Sequence, residues 1–274
     1  MTWAKRGVVL AVSRKDLLLM VRYPLNLVAR IIEPIGWLVP VYFLSRTFAR
    51  DGDVAGFAAW TGTGDYMAFV VAGWVLSAYV SAVMWGMGFA LKNEMDSGVL
   101  ETNWLAPQPP ALLLAGRTIA SVAYTTVTTL GFVGLAAVVF GISLRGQLLP
   151  ALAIMLPVVA GLYGIGFLIA GLVLRMRDAN TLIDVSQYIL GMLSGRDYPV
   201  RVLPTPLLVV SLLLPLTYGY DGLRAAVLGT HALLPYWAEL ALAAVFMVIM
   251  TIVGIWGFGR FERRSRVDGT LSQH

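Results

Sequence analysis

Long apolar runs separated by short polar breaks constrain this chain more than any motif in it. Runs at about 25–48, 66–91, 112–140, 148–174 and 237–258 reach the length that a helix needs to cross a bilayer, roughly 20 residues. The first begins at Leu25 or Ile31. A sixth run, 181–194, is shorter and holds Asp184 and Gln187. A membrane barrel would instead show alternating segments of about ten residues. Hydrophobic residues make up 58% of the 274 positions and charged residues 13%, against roughly 25% charged in soluble domains. No polar stretch is long enough for a separate soluble domain. The fold class is therefore an all-α polytopic membrane protein with six transmembrane helices, residues 1–274 forming a single transmembrane domain.

The polar breaks set the topology. Residues 1–24 carry Lys5, Arg6, Arg14 and Lys15 among apolar residues and stop at Tyr23-Pro24. They read as a basic amphipathic helix in the headgroup plane. No cleavable signal peptide is evident, because a charged segment precedes the first apolar run. Between helices five and six, Leu207 to Leu216 is too short to cross. Together with the stretch Tyr220 to Gly229 it reads as a re-entrant helical hairpin within an outer region, 196–235. With six crossings both ends share one side. Fourteen basic residues fall on that side and six on the other, so the positive-inside rule places both termini, and the tail 259–274, in the cytoplasm. Charge at span ends also explains the net +5 without a nucleic-acid partner; the apolar spans make membrane lipid the surrounding partner.

Chemistry is sparse. Cysteine is absent and only His231 and His274 supply imidazole, so no metal or catalytic residue is assigned. There is no GxxxxGK[ST] motif and no HExxH or GxSxG, so the energy source is either a partner or an ion gradient. Ion coupling needs intramembrane charge, for which Asp184 is the one candidate. The longest polar break in the first half, 92–110, offers a different device. Gly98 and Pro107 fix the ends of a short helix; Glu94, Asp96 and Glu101 offer acidic contacts, and Leu100, Trp104 and Leu105 apolar bulk, that a soluble motor can grip. Kinks at Pro34 and Pro40, with Trp74 and Tyr79 in the second span, point to a pathway lined by spans one, two and five.

These residues in this order resemble the permease subunits of ABC-2 type exporters of drugs, lipids and polysaccharides. The resemblance rests on Glu94, Gly98, Leu100-Glu101 and Pro107 before Gly116-Arg117, then Ser194-Gly195, Tyr198-Pro199, Leu203-Pro204, Pro215-Leu216-Thr217 and Arg224. Val99 stands where the family often has Thr, and Gln108-Pro109-Pro110 follows the loop proline, which implies a shifted docking register. The resemblance implies a working unit of two permease subunits, identical or homologous, with two P-loop ATPase subunits. Those partners would bind ATP and Mg; this chain would hold no cofactor and perform no enzymatic step. It further implies that the loop at 92–110 couples to the ATPase, and that the outer hairpin caps the exit. Site residues expected on this reading are Glu94, Gly98, Leu100, Glu101, Trp104 and Pro107 for coupling. Trp74, Tyr79, Asp184, Gln187, Tyr198, Pro199, Pro215 and Thr217 are expected for the pathway or its gate. The expected location is the bacterial or archaeal cytoplasmic membrane, and the expected cargo is lipophilic, amphipathic or a glycan. The rivals are an ion-driven secondary carrier using Asp184 and a non-transporting membrane scaffold.

Overall fold

The computed structural model describes residues 3–50, 53–54, 56–89, 110–142, 146–176 and 179–267. Almost all of them are helical, as backbone in lipid must satisfy its own hydrogen bonds. In chain order the helices are α1 (Trp3–Arg22), α2 (Pro24–Phe48), α3 (Phe57–Thr61), α4 (Tyr66–Val83), α5 (Pro110–Phe140), α6 (Leu148–Met176), α7 (Ala179–Leu193), α8 (Thr205–Leu213), α9 (Pro215–Leu228) and α10 (Tyr236–Val267). The Gly-rich loop expected after α2 holds α3 and a two-residue antiparallel ladder, β1 (Ala49–Arg50) with β2 (Asp53–Val54). The last span runs further than its apolar stretch: α10 stays helical to Val267 and carries Arg260, Arg263 and Arg264 on its final turns.

Among the described residues, five helices are long and apolar enough to cross a bilayer: α2, α4 extended to Gly88, α5, α6 and α10. Their burial differs sharply. Within the apolar window α4 is 67% buried, α10 22% and α2 only 11%, so α4 is the axis of the bundle. One of its faces, with Leu76, Val80 and Val83, packs against Ile154 and Leu162 of α6 and Tyr220 of α9. Its other face, with Met67, Val70 and Val71, packs against Ile35 and Leu38 of α2 and Phe132 of α5. The C-terminal end of α4 widens into a π-helical turn, Met84–Phe89.

Small residues set the closest crossing, because lipid tails supply no hydrophobic drive between helices and backbone approach must do so. A Cβ on Gly164 of α6 would lie 2.2 Å from the Met250 carbonyl oxygen of α10, and one on Gly254 2.2 Å from the Gly164 carbonyl oxygen. Of the small residues in α6, Gly164 thus meets α10, whereas a Cβ on Gly166 would meet Met87 and Val83. At the start of α5, Gly116 seats α1: Ser13 Oγ donates to the Gly116 carbonyl at 2.7 Å, and Val12 and Val9 fill the space a side chain would need.

The expected fifth span appears as α7. Its 15 residues rise about 22 Å, short of the roughly 30 Å hydrocarbon core. Its course is nevertheless that of a crossing. Ile183 packs on Gly88, Gln187 Nε2 donates to Ser81 Oγ at 3.3 Å, and the Arg196 carbonyl sits where a side chain on Gly73 would be. Each step up α7 is a step back along α4, so the two are antiparallel. The chain then leaves α7 about two turns before the end of α4 at Tyr66. Five helices thus have the length and composition of a span, and a sixth crossing is reached through α7 or through the bent pair of α8 and α9 taken as one span.

The outer hairpin is α8 and α9, bent by 87° at Leu214. Pro215 cannot continue the ladder of α8. Thr217 Oγ1 then donates to the freed Ser211 carbonyl at 2.6 Å, and Tyr218 Oη to that of Leu212 at 2.8 Å. The expected half-buried hairpin is thus unequal. In α8, Val209 and Leu213 are exposed, whereas α9 buries Leu216, Tyr220, Leu223 and Arg224.

Candidate functional site

The ends of α7 and α4 leave a step inside the bundle, and a single arginine fills it. Chain that breaks at this depth must have its carbonyls satisfied by protein. Arg224 of α9 is 3% exposed. Its Nε donates to the Phe69 carbonyl at 3.1 Å, Nη1 to that of Gly195 at 2.7 Å, and Nη2 to that of Arg196. The guanidinium also lies 3.6 Å from the centre of the Phe69 ring. It joins α9, α4 and the C-terminal end of α7, where the helix dipole favours a cation. The polar corner beyond is fastened in turn: Arg196 pairs with Asp197 at 2.8 Å, and Tyr66 Oη donates to the Asp197 carbonyl at 3.4 Å.

Beneath this corner a slot of about 280 Å³ runs between α2, α4, α5 and α7. Arg196 closes its outer end, with the guanidinium 5.6 Å from the Trp74 ring. Trp37 of α2 adds a second indole, Ser77 and Ser81 line it from α4, and Gln187 lines it from α7. From α5 come Thr125, Thr128 and Thr129. With Ser121 these fall at i, i+4, i+7 and i+8, one face of a helix. Arg30 and Glu33 stand at the other end. Three positions apart, they share a face of α2, yet no ion pair between them is found among the described residues; the Arg30 guanidinium lies 5.5 Å from the Tyr124 ring centre. The slot opens below into a larger cavity of about 900 Å³, with which it shares Arg30, Ala82 and Thr125. That second cavity is bounded by α1, α2, the π turn and α5, and includes Asp16, Asn26 and Arg117.

The pathway residues expected from sequence divide by position. Trp74 and Gln187 line the slot. Tyr79 lies in the core beside it, its hydroxyl 2.9 Å from Thr126 Oγ1. Asp184 is exposed and does not line the slot; it lies in a hollow with Val185 and Tyr188 that shares Gln187 and Arg196 with the slot. Tyr198 donates to the Met192 carbonyl, and Pro199 opens a short 3₁₀ turn, Val200–Val202. Pro215 and Thr217 form the bend of the hairpin, away from the slot. The coupling residues Glu94, Gly98, Leu100, Glu101, Trp104 and Pro107 lie outside the described residues. Sequence reasoning passed over the hydroxyls of α5, although their helical spacing inside an apolar run was the signal. It also passed over Glu239, which is fully buried and accepts from the Leu234 N–H at 3.3 Å while Asp221 accepts from that of Leu233 at 2.5 Å. These two carboxylates anchor the loop between α9 and α10.

A helical bundle that crosses the membrane repeatedly and keeps a hydrogen-bonding slot between its spans belongs to the class of multi-pass membrane transport proteins. The family model for the ABC-2 type transporter matches residues 8–228, from α1 through the outer hairpin. The chain belongs to that family and is a permease subunit of an ABC transporter; permeases of this family typically work with an ATPase subunit. No curated protein matches it.

Proposed function

We propose that this chain is the permease of an ATP-driven exporter whose pathway includes the slot between α2, α4, α5 and α7. The observation that carries this is the slot itself: hydroxyls and an amide line a cavity inside a bundle whose outward faces are apolar. Polar groups in lipid are costly, and a line of them turned inward is what a passage for polar chemistry requires. The expected pathway helices α2, α4 and α7 all border it. Asp184, the residue on which an ion-driven carrier would depend, stands outside it.

On this reading two permeases work with two P-loop ATPase subunits, which bind ATP and Mg. Both termini face the cytoplasm of a bacterial or archaeal cell, and α1 lies along the inner surface. The loop 92–110 docks in the ATPase through Glu94, Glu101, Leu100 and Trp104. Closure of the ATPase pair on ATP moves the loop, the spans swing, and the slot turns outward beneath the hairpin. The test is purification from native membrane. A stoichiometric ATPase is expected with the wild type and is expected to be lost from the Glu94→Lys, Glu101→Lys double variant, with the permease still inserted. A permease that purifies alone, or a double variant that retains the ATPase and full transport, would reject the coupling role of this loop.

A further inference from the structure

We infer that the slot is a binding site for a polyhydroxylated head group, chemically the sugar ring of a glycolipid-like amphiphile. The inference rests on the reading of the slot as part of the pathway and adds the chemistry of what passes.

Two atoms carry it. Thr129, 6% exposed, has an Oγ1 without a hydrogen-bond partner, and so does the buried Oε1 of Gln187; both residues line the slot. A buried polar atom without a partner is costly, and most such atoms in native structures are satisfied. The nature of these two narrows the occupant. An alkyl chain satisfies neither. A bare anion only accepts, so it suits the threonine but not Gln187 Oε1 as placed. A hydroxyl both donates and accepts, so it answers the threonine and the amide alike, and it does so even with the amide turned end for end. Ser77, Ser81 and Thr128 extend the same chemistry along the slot.

Shape agrees with this. Trp37 and Trp74 are among the residues that line the slot, apolar surface of the kind that packs on the C–H face of a pyranose. A volume of about 280 Å³ is at the lower end of small-molecule sites, the scale of a head group rather than a whole lipid. The wider cavity joined to it at Arg30 and Thr125 leaves the rest of the amphiphile outside the slot.

The experiment uses the full chain in phosphatidylcholine nanodiscs. Tritiated octyl glucoside is titrated in, and retention by empty nanodiscs is subtracted. Saturable binding is expected, displaced by unlabelled octyl glucoside and not by octyl phosphocholine, which has the same tail and no hydroxyl donor. Thr129→Val and Gln187→Leu are each expected to weaken binding by about threefold to tenfold, the loss of one hydrogen bond. Thr129→Ser is expected to restore it. Removing the unpaired Thr129 hydroxyl costs little, so Thr129→Val is expected to melt with the wild type; Gln187→Leu also removes the bond to Ser81 Oγ and is expected to melt slightly lower, and the competition experiment needs no variant. Equal displacement by octyl phosphocholine, or a Thr129→Val, Gln187→Leu double variant that binds like wild type, would overturn the proposal and leave a slot filled by water. Neither result bears on whether an ATPase copurifies, so the two readings fail separately.

Discussion

At the scale of single residues, Arg224 makes the largest testable claim. Its guanidinium serves three backbone carbonyls from two other segments, Phe69 on α4 and Gly195 and Arg196 after α7. Arg224→Met leaves all three without that donor, each a buried acceptor worth about 1–3 kcal/mol when orphaned. A fall in thermal stability in detergent is expected, larger than for Arg201→Met, whose single bond to the Ala232 carbonyl lies at an exposed site. Arg224→Lys is expected to recover little, because an ammonium lacks the planar fork that spans separated acceptors. Equal melting of Arg224→Met and wild type would show that the step between α7 and α4 holds by packing alone. Arg224 was visible in the sequence as one basic residue in a short stretch. That its three partners lie 28 to 155 positions away was not, since nothing local connects them.

At the scale of elements, the α6–α10 crossing is built on glycine. Gly164→Val or Gly254→Val would drive a side chain into partner backbone at 2.2 Å, and overpacking of this kind costs about 1–3 kcal/mol. Lower stability and poorer recovery of folded protein are expected. Gly36→Ala on α2 is the matched control: nothing lies within 4 Å of its Cβ position, and alanine gains up to about 1 kcal/mol over glycine within a helix. Stability ranked Gly36→Ala, wild type, Gly164→Val supports the crossing; no difference among them refutes it. The sequence made this crossing partly legible. Small residues spaced along span four predict close approach, yet choosing α10 as the partner requires the arrangement of the whole bundle.

For the molecule as a whole, the decisive question is whether α7 completes a sixth crossing. The absence of cysteine makes single-cysteine labelling direct. Exposed positions at the two ends, Gly7→Cys and Arg264→Cys, are expected to react with a membrane-impermeant maleimide only after the cells are opened. His231→Cys, on the loop between the hairpin and α10, is expected to react in intact cells. Labelling of Gly7→Cys and Arg264→Cys from opposite sides would reduce the count to five and leave α7 as a buried half-span.

Apolar run length fixed the five long spans and their order, because a bilayer of one thickness demands one length of apolar helix wherever it is crossed. Proline and glycine marked most of the breaks for equally local reasons, and the bend at Pro215 and the start of α2 at Pro24 fall where they do on that account. Charge asymmetry at the span ends carried the expected orientation. The slot was beyond this reach. It takes residues from α2, α4, α5 and α7, and which face of an apolar helix meets protein rather than lipid is decided by its neighbours when nearly every side chain on it is apolar. Thr125, Thr128 and Thr129 therefore looked like ordinary members of a span until the packing of α5 turned them inward. Only tertiary structure determined that α7 stops two turns early, and that a distant arginine closes the gap.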